Sequence, residues 1–112
     1  MKDTANNLLT LIRQGNAYKT FLARKEENII HLGHIQYDFS IYDLVNKLGP
    51  DYDYKKNIEL VRQKQIAELT LSEIATYFTW LMRSERFCDG LIASYIDNGT
   101  FAQLLVRLID LC

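Results

Sequence analysis

Residues 70–82 read Thr70-Leu71-Ser72-Glu73-Ile74-Ala75-Thr76-Tyr77-Phe78-Thr79-Trp80-Leu81-Met82 and predict the longest helix of the chain. Thr70 and Glu73 have the spacing of a capping box, in which the threonine accepts from an early backbone amide and the glutamate reaches back to the cap. Apolar residues then recur every three or four positions, which gives the helix a broad buried face. We expect this helix to form the spine of the core and to end near Arg86.

The start of this stretch is also similar to the first helix of a helix-turn-helix. A turn of three or four residues, often containing glycine, should then lead into a recognition helix. Instead the helical period continues through Trp80 and Met82 without a breaker. The sequence therefore argues against this DNA-binding motif.

Helical patterns also precede the spine. Apolar residues from Leu8 to Ile12 predict a first helix, and Ser40 is a candidate cap for a helix that stops at Gly49-Pro50. Residues 55–64 predict a further helix with a basic edge. Between residues 29 and 39 the pattern alternates instead, as in Ile35-Gln36-Tyr37-Asp38-Phe39, and indicates a short extended segment or hairpin.

Two more helices follow the spine. Asp89 is a candidate cap for the first, and Asn98-Gly99 supplies its left-handed stop. Thr100 is a candidate cap for the last helix, whose apolar stripe should pack on the spine. The sequence thus predicts an all-α fold, a compact bundle of about six helices in which residues 1–112 form a single domain.

Composition limits the classes of function. The 112 residues carry 13 basic and 14 acidic side chains, a formal charge of -1, so no global field attracts nucleic acid or an anionic membrane. No apolar run approaches the roughly 20 residues that cross a bilayer. Two cysteines make no disulfide framework, and no signal peptide follows Met1, so we expect a reduced, cytoplasmic protein.

The run Arg83–Gly90 places four charges and a thiol between two apolar helical segments. One interpretation is structural: Arg86 bridges to Asp89 and bonds the last carbonyls of the spine, while Asp89 takes the first amides of the next helix. The other is that Arg83 and Arg86 form an anion-binding surface for phosphate or carboxylate. Glu85 and Cys88 belong to the same candidate network, and both interpretations stay open.

Other candidate chemistry is weaker. Cys88 beside Arg86 could be a nucleophile, but a buried cysteine in a corner packed by Phe87 is the simpler interpretation, and the available bases, His31 and His34, are far away in sequence. The two histidines lack further ligands at recognised intervals, so we predict neither a metal nor a cofactor. With no phosphate loop or nucleophile elbow, an enzyme is disfavoured but stays open.

A family resemblance covers about the last third of the chain. The pattern Arg83-x-Glu85-Arg86-Phe87-Cys88-Asp89-Gly90, then Ile92-Ala93, Asp97-x-Gly99 and Leu104-Leu105-x-Arg107-Leu108, resembles the C-terminal signature of a small uncharacterised bacterial family, a domain of unknown function. Members often read R-G-E-R-F-C-D-G there, and Ser84 replaces the usual glycine. The resemblance implies a helical fold and a bacterial or phage origin, and it brings no assigned activity.

The functional expectation rests on the aromatic residues. Seven tyrosines exceed what the core needs, and tyrosine is a favoured anchor at interfaces. We therefore predict a non-enzymatic accessory or protein-interaction domain that binds a protein partner or a second copy of itself. The alternatives are an anion or nucleotide site at the Arg83–Gly90 run, and nucleic-acid binding through a local basic patch of Lys55, Lys56, Arg62 and Lys64.

Overall fold

The computed structural model describes residues 1–14 and 37–112, and the regular structure in these residues is helical. These residues also include a 3-10 turn, Ile66–Glu68, just ahead of the predicted spine. The α-helices are α1 (Lys2–Arg13), α2 (Phe39–Leu48), α3 (Tyr54–Gln63), α4 (Leu71–Ser84), α5 (Leu91–Asp97) and α6 (Thr100–Leu111). This confirms the predicted all-α bundle. The segment expected to be extended lies mostly outside the described residues, and its last member, Phe39, already begins α2.

The α4 helix is the spine that the sequence predicts. The capping box is present: Thr70 Oγ1 accepts from the Glu73 amide at 3.2 Å, and Glu73 Oε1 accepts from the Thr70 amide at 3.0 Å. The helix ends at Ser84, two residues before the expected end. Its buried side chains cover most of its circumference, and they are Ile74, Ala75, Thr76, Tyr77, Phe78, Thr79 and Leu81.

The other helices surround the spine. Helix α3 packs along α4, and α2 contacts both α1 and α4. Helix α6 reaches the spine, where Phe101 meets Phe78 edge to face with ring centroids 5.4 Å apart. It also packs against α1 and α5, so the last helix joins three neighbours and not the spine alone. None of the helices in the described part of the chain is long and apolar enough to span a membrane.

Two of the predicted helix caps are wrong, by two residues at α2 and by one residue at α6. The cap of α2 is Asp38, whose side chain accepts from the Ser40 amide at 2.9 Å, so Ser40 lies inside the helix. At α6 the amide of Thr100 donates to Asn98 Oδ1 at 2.9 Å, and Thr100 is the first helical residue. In both places an Asp or Asn side chain binds the amide two residues on, which competes with capping by a hydroxyl.

The predicted helix stops are confirmed. Gly49 ends α2 with φ +87°, and Gly99 lies between α5 and α6 with φ +84°. Backbone angles in this left-handed region favour glycine because a side chain would be strained there. After the Gly49 stop, the connection that follows α2 lies against α4. The amide of Asp51 in this connection donates to Thr79 Oγ1 at 3.0 Å.

Candidate functional site

The α4–α5 corner, which we define as residues Arg83–Gly90, is a tight turn between two helices. The amides of Phe87 and Cys88 both donate to the Ser84 carbonyl, at 3.0 and 2.9 Å, which extends the end of α4. Gly90 then reverses the chain with φ +92° and precedes the first residue of α5. The corner therefore has a defined backbone, and its side chains are presented from fixed positions.

The Glu85 carboxylate holds this corner together. Its Oε2 accepts from the Gly90 amide at 2.6 Å, and its Oε1 accepts from the Ile92 amide at 2.9 Å. The first amides of a helix have no partner within the helix, and a negative charge is favoured at this end. Glu85 at the end of α4 thus caps the start of α5.

Tyr37 adds a long-range partner to the same carboxylate. Its hydroxyl donates to Glu85 Oε1 at 2.7 Å and accepts from the Ala93 amide at 3.2 Å. The side chain is only 2% exposed. Burial, and then the hydrogen bond to the Glu85 carboxylate, raise the pKa of Tyr37 well above its ordinary value, so the hydroxyl stays protonated and can donate. Tyr37 thereby ties the chain ahead of α2 to the corner.

The structural interpretation predicted that the Asp89 carboxylate caps α5, and this prediction is wrong. The residue that binds the first amides of α5 is Glu85, and not Asp89, which is exposed. The packed corner expected around Cys88 is also wrong, because Cys88 is exposed and Phe87 is 92% exposed. The buried positions that flank the corner are Leu81 and Ile92, so the core beneath it is filled without Phe87.

A groove lies beside the corner. Its volume is about 450 Å³, within the usual range of roughly 300–1,000 Å³ for ligand sites. The end of α4 forms one side, and α2 with the connection after it forms the other. The aromatic lining residues are Tyr42 and Tyr52, and the charged ones are Arg83, Glu85, Arg86 and Asp89.

The two arginines of the run line this groove together, as the anion-binding interpretation requires. Neither Arg83 nor Arg86 forms an ion pair with any residue in the ranges 1–14 and 37–112. Tyr42 faces the same charges, and burial, followed by the nearby Glu85 charge, raises the pKa of its hydroxyl. The groove thus combines guanidinium groups with tyrosine rings, which can receive an anion next to an apolar group.

A comparison with protein-family models matches residues 2–112 to a family of unknown function, DUF6508. The chain belongs to this family. Membership confirms the predicted relation to an uncharacterised family, and the match includes both the corner and the groove of this DUF6508 domain. Searches of the curated proteins and of the solved structures each gave no significant match.

The predicted basic patch is only partly assembled in this DUF6508 domain. The Arg62 guanidinium lies 4.5 Å from the centre of the Trp80 ring, and Lys64 pairs with Glu73. Lys55 and Lys56 are exposed on α3. Two of the four cations therefore contact protein groups, and the Glu73 carboxylate offsets the charge that Lys64 could offer to a phosphate backbone.

Lys55 nevertheless lines a depression together with Arg83 of the corner. A smaller depression of about 270 Å³ is lined by Lys55, Arg83, Tyr52, Tyr54 and Asp51, so it shares Arg83 and Tyr52 with the groove. Sequence reasoning placed Lys55 and Arg83 in separate candidate sites. They meet because the connection between α2 and α3 is held against α4, where Thr76 Oγ1 donates to Asp51 Oδ2 at 2.6 Å.

The two histidines that we considered as bases or metal ligands, His31 and His34, lie outside the described residues of this DUF6508 domain. Within the described ranges, no group of three or more His, Cys, Asp or Glu side chains could hold a metal ion. Cys88 and Cys112 are both exposed free thiols.

Proposed function

We propose that this DUF6508 domain is a non-enzymatic protein-interaction domain that binds its partner at the α4–α5 corner and the adjoining groove. The observation that carries the proposal is the exposure of Phe87, whose side chain is 92% exposed although it sits on a well-held turn. When a partner covers a large apolar side chain, the free energy falls by roughly 25 cal/mol per Å² of apolar surface that leaves water.

The groove beside the corner also suits an interface. Tyr52 is 79% exposed and lines the groove together with Arg83 and Arg86. Tyrosine and arginine are enriched among the residues that carry most of the binding energy at protein interfaces. The corner and the groove together therefore offer the residue types that most often anchor a partner.

The way Glu85 holds the corner also favours binding. Ordering a loop or a side chain on association costs free energy, so a surface fixed in advance binds more tightly than a mobile one. Glu85 links both ends of the turn, and Tyr37 links the turn to α2. Phe87 and Arg86 are thus presented from a turn whose backbone is already set.

We further propose that the domain acts as an accessory protein in the cytoplasm of a bacterium or a phage-infected cell. The exposed thiols of Cys88 and Cys112 support this, because exposed free cysteines persist in reducing compartments. The partner is another protein or a second copy of this chain, and the two are separated by measuring the mass of the purified protein in solution.

The test compares three immobilised proteins: wild type, Phe87→Ser and the control Leu60→Ser. Leu60 is 67% exposed on α3, away from the corner, so its change removes similar apolar surface elsewhere. Incubated with extract of the source cells, wild type and Leu60→Ser should retain a common protein at least about tenfold better than Phe87→Ser, which corresponds to about 1.4 kcal/mol. For a homodimer, light scattering should show the same pattern.

The proposal fails if no retained protein distinguishes Phe87→Ser from Leu60→Ser and wild type is also a monomer at high concentration. Circular dichroism and urea unfolding of both variants should match wild type, because both side chains lie in solvent.

A further inference from the structure

We propose that the groove receives an acidic segment of the partner protein, with a carboxylate held between Arg83 and Arg86 and an apolar side chain against Tyr42 and Tyr52. This inference rests on the proposed function and names the chemistry of the partner. Both arginines line one groove, and neither forms an ion pair with a described residue. A guanidinium matches a carboxylate or a phosphate through two parallel hydrogen bonds, so two of them favour an anionic group, and the acids in the lining then favour a peptide carboxylate.

The acidic residue closest in sequence to the arginines does not cancel their charge by pairing with them. Both oxygens of Glu85 face donors of the fold, which are the amides of Gly90 and Ile92 and the hydroxyl of Tyr37. The Glu85 charge is thus directed to the start of α5. Among the residues that the structure describes, none pairs with these guanidinium groups, which leaves them open to an incoming carboxylate.

A third cation lies beyond the groove. The smaller depression shares Tyr52 and Arg83 with it and adds Lys55. The acid in that depression, Asp51, is also engaged by the fold: its carboxylate accepts from Thr76 Oγ1 at 2.6 Å and from the Asp53 amide at 2.9 Å. Arg86 therefore lines the groove, Lys55 lines the smaller depression, and Arg83 and Tyr52 line both, which suits a segment of several residues better than a single small anion.

The same lining argues for a peptide and against a nucleic acid. Asp51, Glu85 and Asp89 equal the three cations in number, so the two depressions together carry no net formal charge. A nucleic acid brings a phosphate with every nucleotide and would meet these carboxylates at close range. A peptide can place its carboxylate on the arginines and an amide or hydroxyl beside the acids.

The experiment uses a phage-displayed library of random dodecapeptides selected on the wild-type domain, followed by fluorescence polarisation with synthetic versions of the strongest binders. The selected peptides should be enriched in Asp and Glu. Their affinity should fall at least about tenfold for the double variant Arg83→Gln/Arg86→Gln. It should be unchanged for the control Lys56→Gln, which removes an exposed cation outside both depressions.

A second arm requires no protein variant. Replacing each Glu or Asp of a binding peptide by Gln or Asn should weaken binding of the folded wild-type domain by a similar factor, and added salt should weaken it further. A fluorescent oligothymidine of similar length serves as the nucleic-acid probe and should not bind in the same conditions.

Each contrary result is decisive. Peptides without acidic enrichment, no selected peptide at all, or full affinity for the double arginine variant would overturn the acidic-segment inference. Arginine-dependent binding of the oligothymidine without peptide binding would overturn it in favour of a nucleic acid. If binding depends on Phe87 but not on the arginines, the inference fails while the proposed interaction surface stands; if it depends on neither, both fail.

Discussion

The hydroxyl of Tyr37 donates to the carboxylate of Glu85 across 48 positions of sequence, at 2.7 Å. The same carboxylate caps the start of α5, and the same hydroxyl accepts from the Ala93 amide. Three chain segments therefore meet at one small polar network: the residues before α2, the end of α4 and the first turn of α5. This network holds the corner without any contribution from the exposed Phe87 side chain.

Removing the hydroxyl of Tyr37 should destabilise the protein without disturbing its core. In Tyr37→Phe the Ala93 amide loses its acceptor and Glu85 loses one donor, so we expect the free energy of unfolding to fall by about 2 kcal/mol at neutral pH. Urea unfolding followed by circular dichroism measures this change. The matched control is Tyr52→Phe, whose side chain is 79% exposed and which should unfold like wild type. Equal stability of the two variants would contradict the role of the Tyr37 hydroxyl.

Acid stability should depend on Asp51. Hydrogen bonds from Thr76, and secondarily from the Asp53 amide and Asn57, hold the pKa of Asp51 below its ordinary value of 3.8. A carboxyl whose pKa is lower in the folded state contributes stability that is fully present above its unfolded pKa and is lost as pH falls through the folded pKa. Between about pH 6 and pH 3, wild type should therefore lose more unfolding free energy than Asp51→Asn does.

The control for this measurement is Asp110→Asn, a change at an exposed position on α6, which should retain the wild-type pH dependence. If Asp51→Asn and wild type lose the same amount over this pH range, the hydrogen bonds to Asp51 do not favour its charged form, and the link between the α2–α3 connection and α4 has another origin.

The stop between α5 and α6 should require glycine for conformational reasons alone. Gly99 has φ +84°, and a Cβ placed on it would meet no atom within 4 Å. Gly99→Ala should therefore lower the free energy of unfolding by about 1 kcal/mol through backbone strain, and Gly99→Asn should lower it less, because asparagine tolerates the left-handed region better. Thermal unfolding ranks the variants, and an alanine variant as stable as wild type would show that the turn adapts.

Local sequence rules predicted most of the helices, because their signals lie within one or two turns. The capping box at Thr70 and Glu73 and the stops at Gly49 and Gly99 are of this kind. The misplaced caps at Ser40 and Thr100 fail for an equally local reason, since the Asp or Asn two residues earlier binds the amide of the predicted cap itself and starts the helix there.

The candidate site was predictable only in part. The spacing of Arg83 and Arg86 indicated that both could serve one anion, and both do line one groove. The role of Glu85 could not be read from the sequence, because it depends on the left-handed turn at Gly90 and on Tyr37, which is distant in sequence. Tyr52 and Lys55 join the site through a tertiary contact, the attachment of the α2–α3 connection to α4.

We infer that Glu85 stabilises the fold while Arg86 is left for binding. This inference is tested by comparing the urea unfolding free energies of Glu85→Ala and Arg86→Ala with that of wild type. Glu85→Ala should lose about 3 kcal/mol, because two backbone amides and the Tyr37 hydroxyl lose a charged acceptor. Arg86→Ala should lose less than about 1 kcal/mol, as expected for an exposed charge that the fold does not use. A loss for Arg86→Ala equal to or greater than that for Glu85→Ala would place the arginine in the structural network and leave the groove without the free guanidinium that partner binding requires.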